Sequence, residues 1–208
     1  AGLSGERIAN EMRRIMVGGG LKEAIGLMQD SKIDQAALGL SLDPSRLAND
    51  DEIGSMIAGL GANVDFAWLA NLAVAMPTGS AALLAKRLRL SRLEERCLTR
   101  LDLGLGNDEM TMLSGAKWRQ AVYYLGDMAA LLFAVQSCRN GHALDASRLF
   151  EFASWTPPPN PICGADLLSH GVDNGPGLGQ MLEDAERHWV VSNFTLGKTT
   201  LLEWLFRN

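Results

Sequence analysis

The stretch LSGERIANEMRRI, Leu3–Ile15, carries a nearly complete set of helix-start signals. Ser4 can accept from a free backbone N–H one turn in. Glu6 puts a negative charge in the first turn, where it complements the helix dipole. Leu3 before the cap and Ile8 after it can form a hydrophobic staple. Ile8, Met12 and Ile15 share one face, with Glu11, Arg13 and Arg14 off it. Gly18-Gly19-Gly20 stops the pattern, so a helix is predicted from about Ser4 to Val17.

Outward from there, almost every apolar run keeps a period near 3.6 and β-branched alternation is scarce. The chain is predicted to be all-α, a multi-helical elongated bundle without a sheet. Helices are expected at about Leu21–Gln29, Ile33–Leu40, Glu52–Leu60, Val64–Met76 and Ser80–Leu88, with a further helix start at Pro44. Val64–Met76 is apolar on most sides and should be central. Ser91 caps the next helix, and Glu94 completes a capping box. The longest element is expected at about Ser114–Cys138, on the recurrence of Trp118, Val122, Leu125, Ala129 and Leu132. His142–Ala153 follows. TPPPNP, Thr156–Pro161, is the clearest linker, because its prolines fix φ and resist helix. Beyond it, helices are expected at about Gly164–Ser169, Pro176–Val191 and Leu196–Phe206. The chain is thus divided into residues 1–50, 51–154 and 155–208.

The 208 residues are 47% hydrophobic and 21% charged, which places them among globular chains. No apolar run reaches the roughly 20 residues of a membrane-spanning helix, and no membrane association is expected. Cys97, Cys138 and Cys163 are odd in number, widely spaced and without a CxxC pair, which suits reduced core thiols in a cytoplasmic protein. The net charge is −5, unevenly spread: residues 34–85 carry one basic and six acidic side chains, residues 86–119 eight and five, and residues 155–208 three and six. A polyanion would be met locally, by the one basic band.

Catalytic constellations are scarce. His142, His170 and His188 are far apart, and none belongs to a metal-ligand motif. Gly197-Lys198-Thr199 resembles the end of a phosphate loop, but Ser192 stands where the pattern needs glycine and no buried strand leads in. Asp50-Asp51-Glu52 reads better as an acidic helix start than as a cation site.

The basic band is the stronger signal. Lys86, Arg87 and Arg89 precede the capped helix, and Arg92, Arg96 and Arg100 recur within it at i, i+4 and i+8, one stripe along a face. A guanidinium can donate two bonds to one phosphate. Leu93, Cys97 and Leu101 form the neighbouring apolar stripe expected to hold the helix on the body. Lys117 and Arg119 extend the band, and Tyr123 and Tyr124 follow one turn on. A solvated face, with Glu94 and Glu95 pairing some of the arginines, is the plainer alternative.

GADLLSHGVDNGPGLGQMLEDAERHW, Gly164–Trp189, is the second distinctive stretch. Gly171 suits a helix C-terminus, and Gly175-Pro176 a helix start with Pro at its first position. Gly177 and Gly179 either leave that start bare, so that backbone N–H groups meet a phosphate, or mark a close helix crossing. Leu178, Leu182, Ala185 and Trp189 form the predicted buried face.

Taken together, these pieces resemble the C-terminal helical region of class II tRNA nucleotidyltransferases, the CCA-adding enzymes and their poly(A) polymerase relatives. Ser4-Gly5-Glu6-Arg7-Ile8 with Glu11 is similar to the family's neck motif Ser-x-Glu-Arg-Ile-x-x-Glu. Leu84–Arg92 is similar to its LAxRLRLS segment, and Lys117–Asp127 to its basic-aromatic-Gly helix. The tail pattern G-x-D-L-x-x-x-G-x-x-x-G-P-x-x-G is met at Gly164, Asp166, Leu167, Gly171, Gly175, Pro176 and Gly179, and continues to Leu182, Glu186 and Trp189.

The resemblance implies neck, body and tail that grip the acceptor stem and elbow of tRNA. Ser4, Glu6, Arg7 and Glu11 would lie near the nucleotide, and the basic band on RNA backbone. The family's catalytic head, with its Gly-Gly/Arg-Asp turn, Asp-x-Asp metal pair and nucleotide-reading Glu-Asp-x-x-Arg, has no counterpart here. The chain starts at Ala1 without an initiator Met and reads as cut from something longer. On this reading it holds no catalytic residue, metal or cofactor and is inactive alone, while the complete enzyme would use Mg and CTP/ATP. Ile8, Met12 and Ile15 are then expected to leave an exposed strip where the head docks. A non-catalytic helical adaptor for a protein partner is the alternative.

Overall fold

AWLANLAVA, Ala67–Ala75, contains no charge and a single amide. Such a segment is stable as a helix only where other elements cover it on every side. In the computed structural model, which describes residues 4–47, 66–126 and 128–207, it is a helix whose nine residues are all buried. The α-helices are α1 (Gly5–Met16), α2 (Leu21–Asp30), α3 (Ile33–Leu38), α4 (Ala67–Ala75), α5 (Ala81–Leu88), α6 (Arg92–Leu103), α7 (Asn107–Ser114), α8 (Trp118–Leu125), α9 (Met128–Arg139), α10 (Ala146–Ser154), α11 (Gly164–Ser169), α12 (Pro176–Val191) and α13 (Lys198–Arg207). A 3-10 turn covers Pro44–Arg46. No strand occurs among the described residues, and no single helix there is long and apolar enough to cross a membrane.

The chain falls into two units, Ala1–Thr111 with Leu125–Ser154, and Met112–Tyr124 with Trp155–Asn208. In the first, α4 is the hub, packed by α1, α6, α9 and the 3-10 turn, while α5 bridges α1 and α6. Four polar groups on α4 and at its end find partners outside the helix. Asn71 Nδ2 donates to the Met16 carbonyl at the end of α1, 2.6 Å. Ala73 O accepts from Arg139 Nε and Nη2, at 2.9 and 2.6 Å. Ala75 O accepts from Asp43 N, 2.8 Å, and Met76 O from Arg46 Nη1, 3.3 Å. Three of the C-terminal carbonyls that a helix cannot satisfy itself, those of Ala73, Ala75 and Met76, are thus met by two arginines and a loop N–H.

Two carboxylates tie down loops of the same unit. Asp102 Oδ1 accepts from Gly79 N, 3.0 Å, and Oδ2 from Ala81 N, 2.9 Å, capping α5 where its own Ser80 makes no side-chain cap. Arg139 Nη2 reaches the same carboxylate at 3.2 Å, and Nη1 the Asp102 carbonyl at 3.0 Å. Fully buried Asp34 accepts from Gln35 N, Ser41 Oγ and Leu42 N, at 2.7, 2.8 and 3.0 Å, holding the turn after α3.

The second unit contains α8 up to Tyr124 and all of α11–α13. Its core is Ile162, Leu167, Ala185, Trp189, Val190 and Leu201, with Leu178 and Leu182 packed against it. Tyr123 closes this core against Trp189 and Phe194, at centroid distances of 6.1 and 5.4 Å, and donates its hydroxyl to Glu186 Oε1, 2.8 Å. Burial first, then the Glu186 carboxylate, pushes its phenol up to about 12.

Four expectations are corrected. The predicted Ser114–Cys138 helix is broken, because α8 ends at Leu125 and Gly126 takes a left-handed φ of +58°, after which α9 starts afresh. Ile8 and Met12 are buried within the first unit and only Ile15 is partly exposed, so the anticipated open apolar strip on α1 is not there. Leu93 is 62% exposed, and the inner face of α6 is Cys97, Leu98, Leu101 and Asp102. Cys163 is exposed rather than core, whereas Cys97 and Cys138 are buried. The staple through Leu3 and the helix at Glu52–Leu60 lie outside the described residues.

Candidate nucleic-acid interface

The neck-like motif is built on a close approach. Ser4 Oγ accepts from Arg7 N at 3.4 Å and caps α1. Gly5 is buried, and a Cβ placed on it would lie 2.3 Å from the Arg87 carbonyl oxygen at the end of α5. That crossing brings Glu6 Oε1 to 3.4 Å from Arg89 Nη1, an exposed pair worth at most about 1 kcal/mol. Glu11 pairs with Arg14 within α1, 3.2 Å, and Arg7 is exposed.

Farther along α1, Arg13 Nη2 meets Glu94 Oε1 at 2.5 Å while its guanidinium lies 4.9 Å over the Trp68 ring. Glu94 also accepts from Ser91 N and Oγ, at 2.9 and 2.7 Å, so the capping box of α6 is welded to α1. Burial pushes the Glu94 carboxyl up, but the Arg13 and Ser91 bonds outweigh it and hold the group below its usual range. Beside it, burial and then the Glu94 charge push the Cys97 thiol to about 11.

The predicted basic residues fall into distinct states. Lys86 and Arg87 sit in the last turn of α5, and Arg89 follows in a left-handed conformation, φ 52°. Arg92 and Arg96 are exposed on α6. Arg100, on the same stripe, turns inward: Nη1 donates to Gly104 O at 2.9 Å and Nη2 to Glu109 Oε1 at 3.1 Å, while Glu109 Oε2 accepts from Gly106 N. In the second unit, Lys117 is exposed and Arg119 lies 4.7 Å over the Trp118 ring. Tyr124 is largely exposed, unlike Tyr123. The acidic run Asp50-Asp51-Glu52 lies outside the described residues.

The tail motif organises two helix starts. Asp166 Oδ2 accepts from Cys163 N at 3.0 Å, closing α11, and Oδ1 binds Lys198 Nζ at the start of α13. The Lys198 ammonium first, then the Cys163 N–H, brings Asp166 down to about 2 from an ordinary 3.8. The reciprocal bond raises Lys198. A depressed carboxyl stabilises the fold above its unfolded value and loses that contribution as pH falls through its folded value. The bridge should therefore hold above pH 4 and fail towards pH 2. Carboxyl NMR should place Asp166 at about 2 and return it towards 3.8 in Lys198→Met; an unmoved titration would show that Lys198 is not the cause.

Gly171 adopts φ +86° after α11. Gly175, Gly177 and Gly179 are exposed, and a Cβ on any of them would meet nothing within 4 Å. The close crossing considered for these glycines is therefore excluded. Gly164 has room for an ordinary contact with Leu178 at 3.6 Å. His188 stacks on Trp204 and His170 on Phe206. Among the described residues no group of three His, Cys, Asp or Glu side chains is placed to hold a metal ion.

The described basic side chains are carried on and between helices, several of them exposed. No family model matches the chain. It is similar end to end to tRNA nucleotidyltransferases. Human CCA tRNA nucleotidyltransferase 1, mitochondrial, is 26% identical over 212 residues, covering 99% of this chain and 46% of that protein. The mouse protein of the same name is 25% identical over 211 residues with the same coverage. The chain spans about half the length of the curated relatives it matches.

Proposed function

We propose that the chain is the RNA-gripping helical part of a nucleotidyltransferase that adds CCA to tRNA 3′ ends. It holds the acceptor stem and elbow so that the 3′ end reaches a catalytic head outside these residues. The observation that carries this reading is the similarity to two CCA tRNA nucleotidyltransferases over 99% of the chain. The exposed cations support it: Lys86, Arg92 and Arg96 in one unit and Lys117 in the other suit a backbone recognised by shape and charge. Ser4, Glu6, Arg7 and Glu11 form the part nearest the incoming CTP or ATP, which Mg in the head would activate. The residues of this chain bind and position; they do not transfer the nucleotide.

Binding of a tRNA transcript by the 208-residue chain should weaken with salt. Four exposed cations on phosphates give a slope of log K against log salt of about −3, a loss of roughly sixtyfold between about 50 and 200 mM. The chain alone should incorporate no labelled CTP or ATP. Affinity for a protein partner that ignores salt and added tRNA, with no tRNA binding, would favour the adaptor instead. The product of the complete enzyme, three added nucleotides or a homopolymeric tail, distinguishes CCA from poly(A) addition.

A further inference from the structure

The cations of the first unit differ in whether anything within the chain neutralises them. Arg13 is held by Glu94, Arg89 by Glu6, Arg100 by Glu109 and Arg139 by Asp102. Lys86 and Arg87 lie in the last turn of α5, where the helix dipole favours a cation. Arg92 and Arg96, like the exposed Arg7 in the first turn of α1, have neither compensation. Both are exposed, and no carboxylate among the described residues lies within ion-pair distance of either. Arg92 is moreover the first residue of α6, where a positive charge opposes the dipole. Of the backbone N–H groups there, those of Ser91 and Glu94 are already used in the capping box. A cation held against the local field, without an internal partner, is the kind of residue kept for an external one.

We infer that Arg92 and Arg96 are the phosphate-contacting pair of the α6 stripe, and that Arg100, although on the same stripe, is a clamp on the loop between α6 and α7. The inference rests on the RNA reading above. Side chains at i and i+4 stand about 6 Å apart, and each guanidinium fork can donate two bonds to one phosphate, so the pair can engage neighbouring phosphates of one strand.

The test compares the parent chain, Arg92→Ala with Arg96→Ala, Arg92→Lys with Arg96→Lys, and Arg100→Ala, each titrated with a tRNA transcript over a range of salt and each melted. The double Ala variant should make the salt slope shallower by about 1.5, at 0.7–0.9 per phosphate, with a melting temperature unchanged or higher, because a charge opposing the dipole has gone. The double Lys variant should keep the parent slope. Arg100→Ala should keep the slope and melt lower. A double Ala variant with the parent slope overturns the inference, as does one that melts as low as Arg100→Ala. A parent chain that binds no tRNA overturns the RNA reading itself, an outcome seen before any variant is made.

Discussion

Gly5→Ala should destabilise the first unit by about 2 kcal/mol, although alanine is the better helix former. Replacing glycine in a helix interior gains up to about 1 kcal/mol, and Gly5 is only the first residue of α1. Against that gain, the added methyl would lie 2.3 Å from the Arg87 carbonyl oxygen and 3.2 Å from Arg89 Cγ. The first obstacle is backbone and cannot rotate away, so α1 and α5 must separate. Overpacking of this kind costs about 1–3 kcal/mol, occasionally more, and it also pulls Glu6 from Arg89. Urea denaturation followed by circular dichroism would measure the loss, and Gly5→Val should lose more. A Gly5→Ala protein as stable as the parent would mean that the helices do not cross so closely.

Arg139→Met should cost more, about 3–5 kcal/mol, because it removes one partner from a buried ionic network. The Arg139 and Asp102 side chains are 8% and 6% exposed. Losing the guanidinium strands the Ala73 carbonyl and leaves the Asp102 carboxylate with only the Gly79 and Ala81 N–H groups. Arg139→Lys should recover part of the loss, since a single ammonium cannot span the Ala73 carbonyl and both Asp102 acceptors. Asp102→Asn removes one charge of the pair and one acceptor of the α5 cap, and the Arg139→Met, Asp102→Asn double variant should lose less than the two singles together. Strict additivity would show the two groups to be energetically independent and sink the network account.

What could be read directly from the chain was local. The Ser4 cap, the Ser91–Glu94 capping box and the all-round burial of α4 follow from neighbours within four residues, or from uniform apolarity. Helical period carried straight through Gly126, because Trp118, Val122, Ala129 and Leu132 keep the register that a continuous helix would need, and period does not report that the glycine takes a left-handed φ. The basic stripe was visible as spacing, yet spacing does not say that Arg100 turns back to Glu109 while Arg92 faces water. Arg13–Glu94 and Arg139–Asp102 join residues 81 and 37 positions apart, and no local pattern announces such pairs. Gly5 was hidden for a different reason: it occupies the variable position of its motif, and its constraint comes from a helix more than eighty residues downstream.

The dependence of α4 on Arg139 also has a consequence for synthesis. Ala73 and Arg139 lie 66 residues apart. A ribosome adding about 5–20 residues per second therefore releases a rod without a polar face some 3–13 s before the side chain that satisfies its end becomes available. During that interval α4 is the obvious target for a holding chaperone or for a like segment of another nascent chain. Slowed translation between the two positions would be expected to lower the soluble yield of this protein without changing one residue of it.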